Sequence, residues 1–166
     1  MPLPRRAVER VTAALQYLDD STGIVGDQLR VLMSLYAKTC TQAPPDARRL
    51  AAWWAKAQLD GPGRPEIRLA EFADALGERG LAELAWLVEE RRATGDPESW
   101  SVVWAVRDLR EQLAAVPGDV DAHVAVLAED LRGTYGYTGI VQVLRAAGRD
   151  EEAERWAREG LARIEQ

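Results

Sequence analysis

Apolar residues along this chain recur at spacings of three and four, and no segment shows a convincing alternation at period two. That pattern predicts an all-α protein. The first helix is expected from about Pro4 to Asp19, with Val8, Val11, Leu15 and Leu18 on one face. The second is expected from about Val25 to Cys40, where Leu29, Leu32, Met33 and Tyr36 form an i, i+3, i+4, i+7 stripe. A proline entry opens a third helix near 45–59, and the Gly/Pro segment from Asp60 to Pro65 ends it, because proline lacks the N–H that a helix needs. Leu69, Phe72, Ala73 and Leu76, followed by Leu81, Leu84, Ala85 and Val88, predict two short antiparallel helices about a bend from Gly77 to Gly80.

In "GDPESWSVVWAVRDLREQLAAVPGD", Asp96 is placed as an N-cap with Pro97 at the first helical position, and Pro117-Gly118 closes the helix. Val102, Val106, Leu109, Leu113 and Val116 form one stripe on it, while Trp104 projects close to the opposite side and Trp100 lies on a flank. The first half of this helix therefore carries two apolar faces. Three more helices follow near 119–132, 135–148 and 150–164. Ala153, Trp156, Ala157, Gly160, Leu161 and Ile164 align on the last, and its small residues are expected to admit a neighbouring backbone. About nine helices joined by short loops give stacked antiparallel hairpins, either a tetratricopeptide-like helical repeat or a compact α-solenoid. Residues 1–166 read as a single helical domain, with 1–60 and 66–166 as sub-units about the Gly/Pro loop.

Composition narrows the chemistry. At 166 residues and 47% hydrophobic content the chain buries one substantial core. A net charge of −6 and a pI near 4.9 disfavour a phosphate backbone or an anionic membrane as the main partner. Cys40 and His123 are the only residues of their types, which excludes disulfide frameworks, zinc fingers and Cys-His dyads. The chain has no apolar run of about 18 residues, and its basic N-terminus lacks the apolar centre of a secretory signal, so it reads as cytoplasmic.

"YLDDSTGIVGDQL", residues 17–29, fails as a calcium loop: counting from Asp19 or Asp20, the twelfth position is Arg30 or Val31 instead of a carboxylate. It reads as a bend. His123 with Asp119 and Asp121 makes a three-ligand set on paper, against the plainer reading of a polar helix flank. The six tryptophans are the unusual feature. Trp53 and Trp54 diverge by about 100° on a helix and are not expected to point at one core centre. With Trp104 they belong either to a second helix layer or to an exposed partner groove.

"GRDEEAERWAREGL", with Gly148, Ala153, Ala157, Gly160 and Leu161, resembles the second half of a tetratricopeptide repeat. Tyr137 takes the place of the first helix's aromatic residue, but Val141 stands where a small residue belongs. The ordered set "YLDDSTGIVGDQL", "AQLDGPGRPEI", "FADALGERGLAEL", "DVDAHVAVLAEDL" and "YTGIVQVLRAAGRDEEAERWAREGL" carries a resemblance that covers about residues 10–164. It resembles the helical region that follows the zinc-binding motif in bacterial, especially actinobacterial, SWIM zinc-finger proteins. That family's zinc element is a CxCx(n)CxH ligand set, which a chain with one Cys and one His lacks. The resemblance implies a helical-repeat scaffold, standing alone or as the C-terminal piece of a longer protein. It brings no catalytic residues, and no metal or DNA-binding role comes with it.

The leading expectation is a non-enzymatic scaffold for protein–protein interaction, with Trp53, Trp104, Tyr135 and Tyr137 as contact residues and "RGTYGYTG" framing one rim. No cofactor or metal is expected. The alternative is a nucleic-acid-associated or small-ligand-binding domain built on arginines 5, 6, 48, 49, 91, 92, 107 and 110. An enzyme ranks below both, because no nucleophile, base and oxyanion site assemble from these residues. The second apolar face of the 97–116 helix also suits a homo-oligomer.

Overall fold

The computed structural model describes residue 10 and residues 24–60, 68–129, 131 and 134–164. Among them are seven helices and no strand: α1 (Ile24–Gln42), α2 (Ala47–Leu59), α3 (Leu69–Thr94), α4 (Trp100–Ala115), α5 (Val120–Ala128), α6 (Thr134–Ala146) and α7 (Asp150–Ile164). Apart from residue 10, the expected helix over 4–19 lies outside the described residues, as do the "DDSTG" corner and the Gly/Pro segment at 61–65.

The chain forms two compact units, Met1–Leu109 and Arg110–Gln166. In the first, both α1 and α2 pack on α3. Helices on either side of the Gly/Pro segment thus share one unit, and the division falls within α4 instead of at 60–66. Leu29, Met33, Tyr36, Ala37 and Cys40 of α1 are buried, in keeping with its apolar period. Asp46 starts α2, its carboxylate accepting from the Arg49 N–H at 2.9 Å. Gly77 bends α3 through φ 55°, ψ −177°, a conformation open essentially to glycine. The expected bend is therefore present at that residue.

Phe72 of α3, fully buried, centres an aromatic cluster. The rings of Tyr36, Trp53 and Trp54 lie 5.7, 6.4 and 6.2 Å from it, and Tyr36 meets Trp53 edge-on at 5.1 Å. Adjacent tryptophans thus reach one core centre, contrary to the expectation from the helical wheel. Their Cβ directions diverge, but an indole is long enough to close the gap around a shared ring. Trp53 and Trp54 belong to the buried layer between α2 and α3.

The start of α4 also departs from expectation. The Asp96 carboxylate accepts from the Glu98 N–H at 2.9 Å and closes a separate turn. Helical bonding begins with Val103 N–H to the Ser99 carbonyl, so the helix starts three residues later than Pro97. In the second unit, Asp119 caps α5 by accepting from the Ala122 N–H at 3.0 Å. Helix α6 ends in a Schellman motif: Arg149 N–H bonds the Leu144 carbonyl and Gly148 N–H bonds that of Arg145, with Gly148 at φ 73°. This tight turn folds α7 onto α6, and α5 packs on α6 from elsewhere. Leu127, Ile140, Leu144 and Ala153 form the resulting core.

Candidate functional site

The stripe of α4 that faces inward is Val106 and Leu109, both buried, with Val102, Leu113 and Val116 half-buried. Trp100, Val103 and Trp104 follow the i, i+3, i+4 spacing on the outside. Trp100 is 76% exposed and Trp104 47%, with Val103 similarly open. The two indoles stack on each other, centroids 6.4 Å apart and planes 23° from parallel. An aromatic ridge of this kind is the largest apolar feature that α4 leaves uncovered.

Of the four residues expected to make contacts, Trp53 and Trp104 lie in the first unit and Tyr135 and Tyr137 in the second. Within each unit one is open and one is withdrawn. Trp53 is 7% exposed, held against Tyr36 and Phe72, so it is a core residue and not an open contact. Tyr137, at 6%, is withdrawn too: its ring packs 6.0 Å from that of Trp156, and Gly160 leaves it room. The small residue at 160 therefore admits a side chain where a backbone was expected. The Tyr137 hydroxyl accepts from Arg163 at 3.1 Å and donates to Glu159 at 3.4 Å. That hydrogen bond raises the pKa of Arg163. Tyr135, 60% exposed, donates to Glu111 at 3.3 Å. Both tyrosines sit in the first turn of α6, so "RGTYGYTG" is helical from Thr134 and does not frame a rim as a loop.

Several polar groups of the second unit serve its structure. Arg149, between α6 and α7, donates to both Glu152 oxygens at 2.5 and 2.7 Å and to Asp121 of α5 at 2.6 Å. These bonds raise the pKa of Arg149 and hold the Glu152 carboxyl below its ordinary value. Asp119 caps, Asp121 pairs with Arg149, and His123 Nε2 lies 3.8 Å from Glu111, so the three-ligand set disperses. Among the described residues no group of three or more His, Cys, Asp or Glu is placed to hold a metal ion. Arg48, Arg91, Arg92 and Arg110 face Glu83, Asp60, Glu89 and Glu129. Half of the arginines invoked for a basic face are thereby neutralised locally.

One feature escaped sequence reasoning. A groove of about 350 Å³ runs between α1 and the start of α3, lined by Val31 and Leu35 on one side and Arg68 and Glu71 on the other. The only local signal is that Val31 and Leu35 form an i, i+4 apolar pair outside the buried stripe of α1. Among the described residues no helix is long and apolar enough to cross a membrane. Compared with family models, with curated proteins and with solved structures, the chain matches none.

Proposed function

We propose that this chain is a non-enzymatic helical scaffold that binds a partner protein through the ridge of Trp100, Val103 and Trp104. The observation that carries the reading is the exposure of two stacked indoles on the face of α4 opposite its buried stripe. Covering a large apolar side chain is worth about 1.5–3 kcal/mol, and tryptophan is among the residues that dominate binding energy at interfaces. Apolar positions at i, i+3 and i+4 present a single helical stripe, whose natural complement is the apolar face of a partner helix. The resemblance of the ordered motifs to the helical region of SWIM zinc-finger proteins supports a scaffold role. The α6–α7 hairpin and its tight turn support a tetratricopeptide-like reading of the C-terminal helices.

Immobilised wild type and the Trp100→Ala/Trp104→Ala variant, exposed in parallel to lysate of the source cells and read by mass spectrometry, test the proposal. A protein held by the wild type, lost by the folded variant and bound again as a purified component supports it. Equal retention on both, or self-association of the wild type as the only signal, contradicts it.

A further inference from the structure

We propose that the groove between α1 and the start of α3 is a separate docking site for an acidic peptide segment carrying an apolar side chain. It is a different surface from the α4 ridge and stands whether or not that ridge binds. The apolar half of the site is Val31 and Leu35, each more than half exposed on the outer face of α1. One turn further along that face comes Lys38, and Arg68 stands across the groove immediately before α3. Neither cation has an ion-pair partner among the described residues. Arg30, by contrast, is occupied by Asp27.

Among the described lining residues Glu71 is the one carboxylate, and it accepts from the Ser34 hydroxyl at 2.9 Å, which ties the two walls together. On a chain of net charge −6, two cations without an ion-pair partner among the described residues, beside open apolar side chains, are a local reversal of sign. Long-range repulsion by the rest of the protein disfavours anions on average, but a carboxylate entering this groove gains close partners in Lys38 and Arg68. An extended or helical segment fits better than a compact small molecule, because the groove is open and its apolar side chains keep half their surface in water. The occupant is a peptide with an aliphatic or aromatic residue over Val31 and Leu35 and Asp or Glu toward Lys38 and Arg68.

Display of random linear peptides against immobilised wild type, followed by fluorescence anisotropy of labelled winners, tests this. The expected winners combine Asp or Glu with Leu, Ile, Val or Phe, and weaken as ionic strength rises. Their affinity should fall about tenfold or more for Lys38→Glu/Arg68→Glu and remain for Trp100→Ala/Trp104→Ala. Both cations are exposed, and Lys38→Gln/Arg68→Gln offers a milder version should charge reversal perturb folding. Winners without acidic residues, or undiminished binding to both cation variants, would overturn the proposal. So would winners lost only on the tryptophan variant, which would instead favour the α4 ridge. Binding to phosphatidylserine vesicles that needs Lys38 and Arg68, with no peptide selected, would replace the peptide by a lipid surface and overturn it too.

Discussion

Gly160→Ala sets two effects of opposite sign against each other. On helix propensity alone, alanine in a helix interior is better than glycine by about 1 kcal/mol. A Cβ at position 160, however, would lie 2.9 Å from Tyr137 Cγ, 3.0 Å from its Cβ and 3.2 Å from its Cδ1. The two nearer atoms lie on the axis about which the ring turns, so rotating the ring does not move them away. The ring is also held by Trp156 and by hydroxyl contacts with Glu159 and Arg163. Relief requires α6 and α7 to separate by a few tenths of an ångström. Overpacking of that kind costs about 1–3 kcal/mol, so the substitution is expected to destabilise by about 1 kcal/mol net. With a urea m-value of about 2 kcal/mol/M, the midpoint followed by far-UV circular dichroism drops by about 0.5 M. In a Tyr137→Ala background most of the clash is gone, and the same substitution should stabilise by about 0.5–1 kcal/mol. Stabilisation by Gly160→Ala in the wild-type background would refute the packing of Tyr137 against α7.

Three further outcomes follow from the core, the bend and the clamp. Phe72→Ala, which empties the centre of the Tyr36, Trp53 and Trp54 cluster, should cost about 4 kcal/mol in chemical denaturation, and a loss below about 1 would contradict that cluster. Gly77→Ala meets no atom within 4 Å, so its expected destabilisation of about 1–3 kcal/mol is purely conformational; a neutral result would mean that α3 does not bend there. The Glu152 carboxyl titrates lower in the folded chain than its ordinary 4.5, chiefly because Arg149 donates to it. Its contribution is therefore present above pH 4.5 and lost as acid takes the pH down through the lower folded value, since the unfolded chain binds the proton first. Glu152→Gln should flatten that acid limb of the stability profile, and an unchanged slope would deny Glu152 the role.

The all-helical class was legible because burial in α1 repeats at the spacing of its apolar residues, with Leu29, Met33 and Tyr36 all withdrawn from solvent. Trp104 was legible as opposing the Val106 and Leu109 stripe on the same helix, but not as exposed, because a second helix layer would cover the same face. Asp96 misled because a side-chain oxygen caps an isolated turn with the same hydrogen bond that it would give a helix. Trp53 and Tyr137 were misread for a different reason. Whether an aromatic on an amphipathic helix is open or covered depends on what a distant segment offers, Phe72 in one case and Gly160 in the other. The groove lay beyond reach because Lys38 and Arg68, thirty residues apart in sequence, meet only when α1 packs on α3.

The most direct test of the scaffold reading is to measure stability and partner affinity together on Trp100→Ala/Trp104→Ala. On the proposed reading the two exposed indoles serve binding and not the core, so unfolding free energy should stay within about 0.5 kcal/mol of wild type. Affinity for the captured partner, read by fluorescence anisotropy, should fall by at least about 2 kcal/mol, roughly thirtyfold. A large loss of stability with affinity unchanged in the folded fraction would make the ridge part of the fold and remove it as the binding surface.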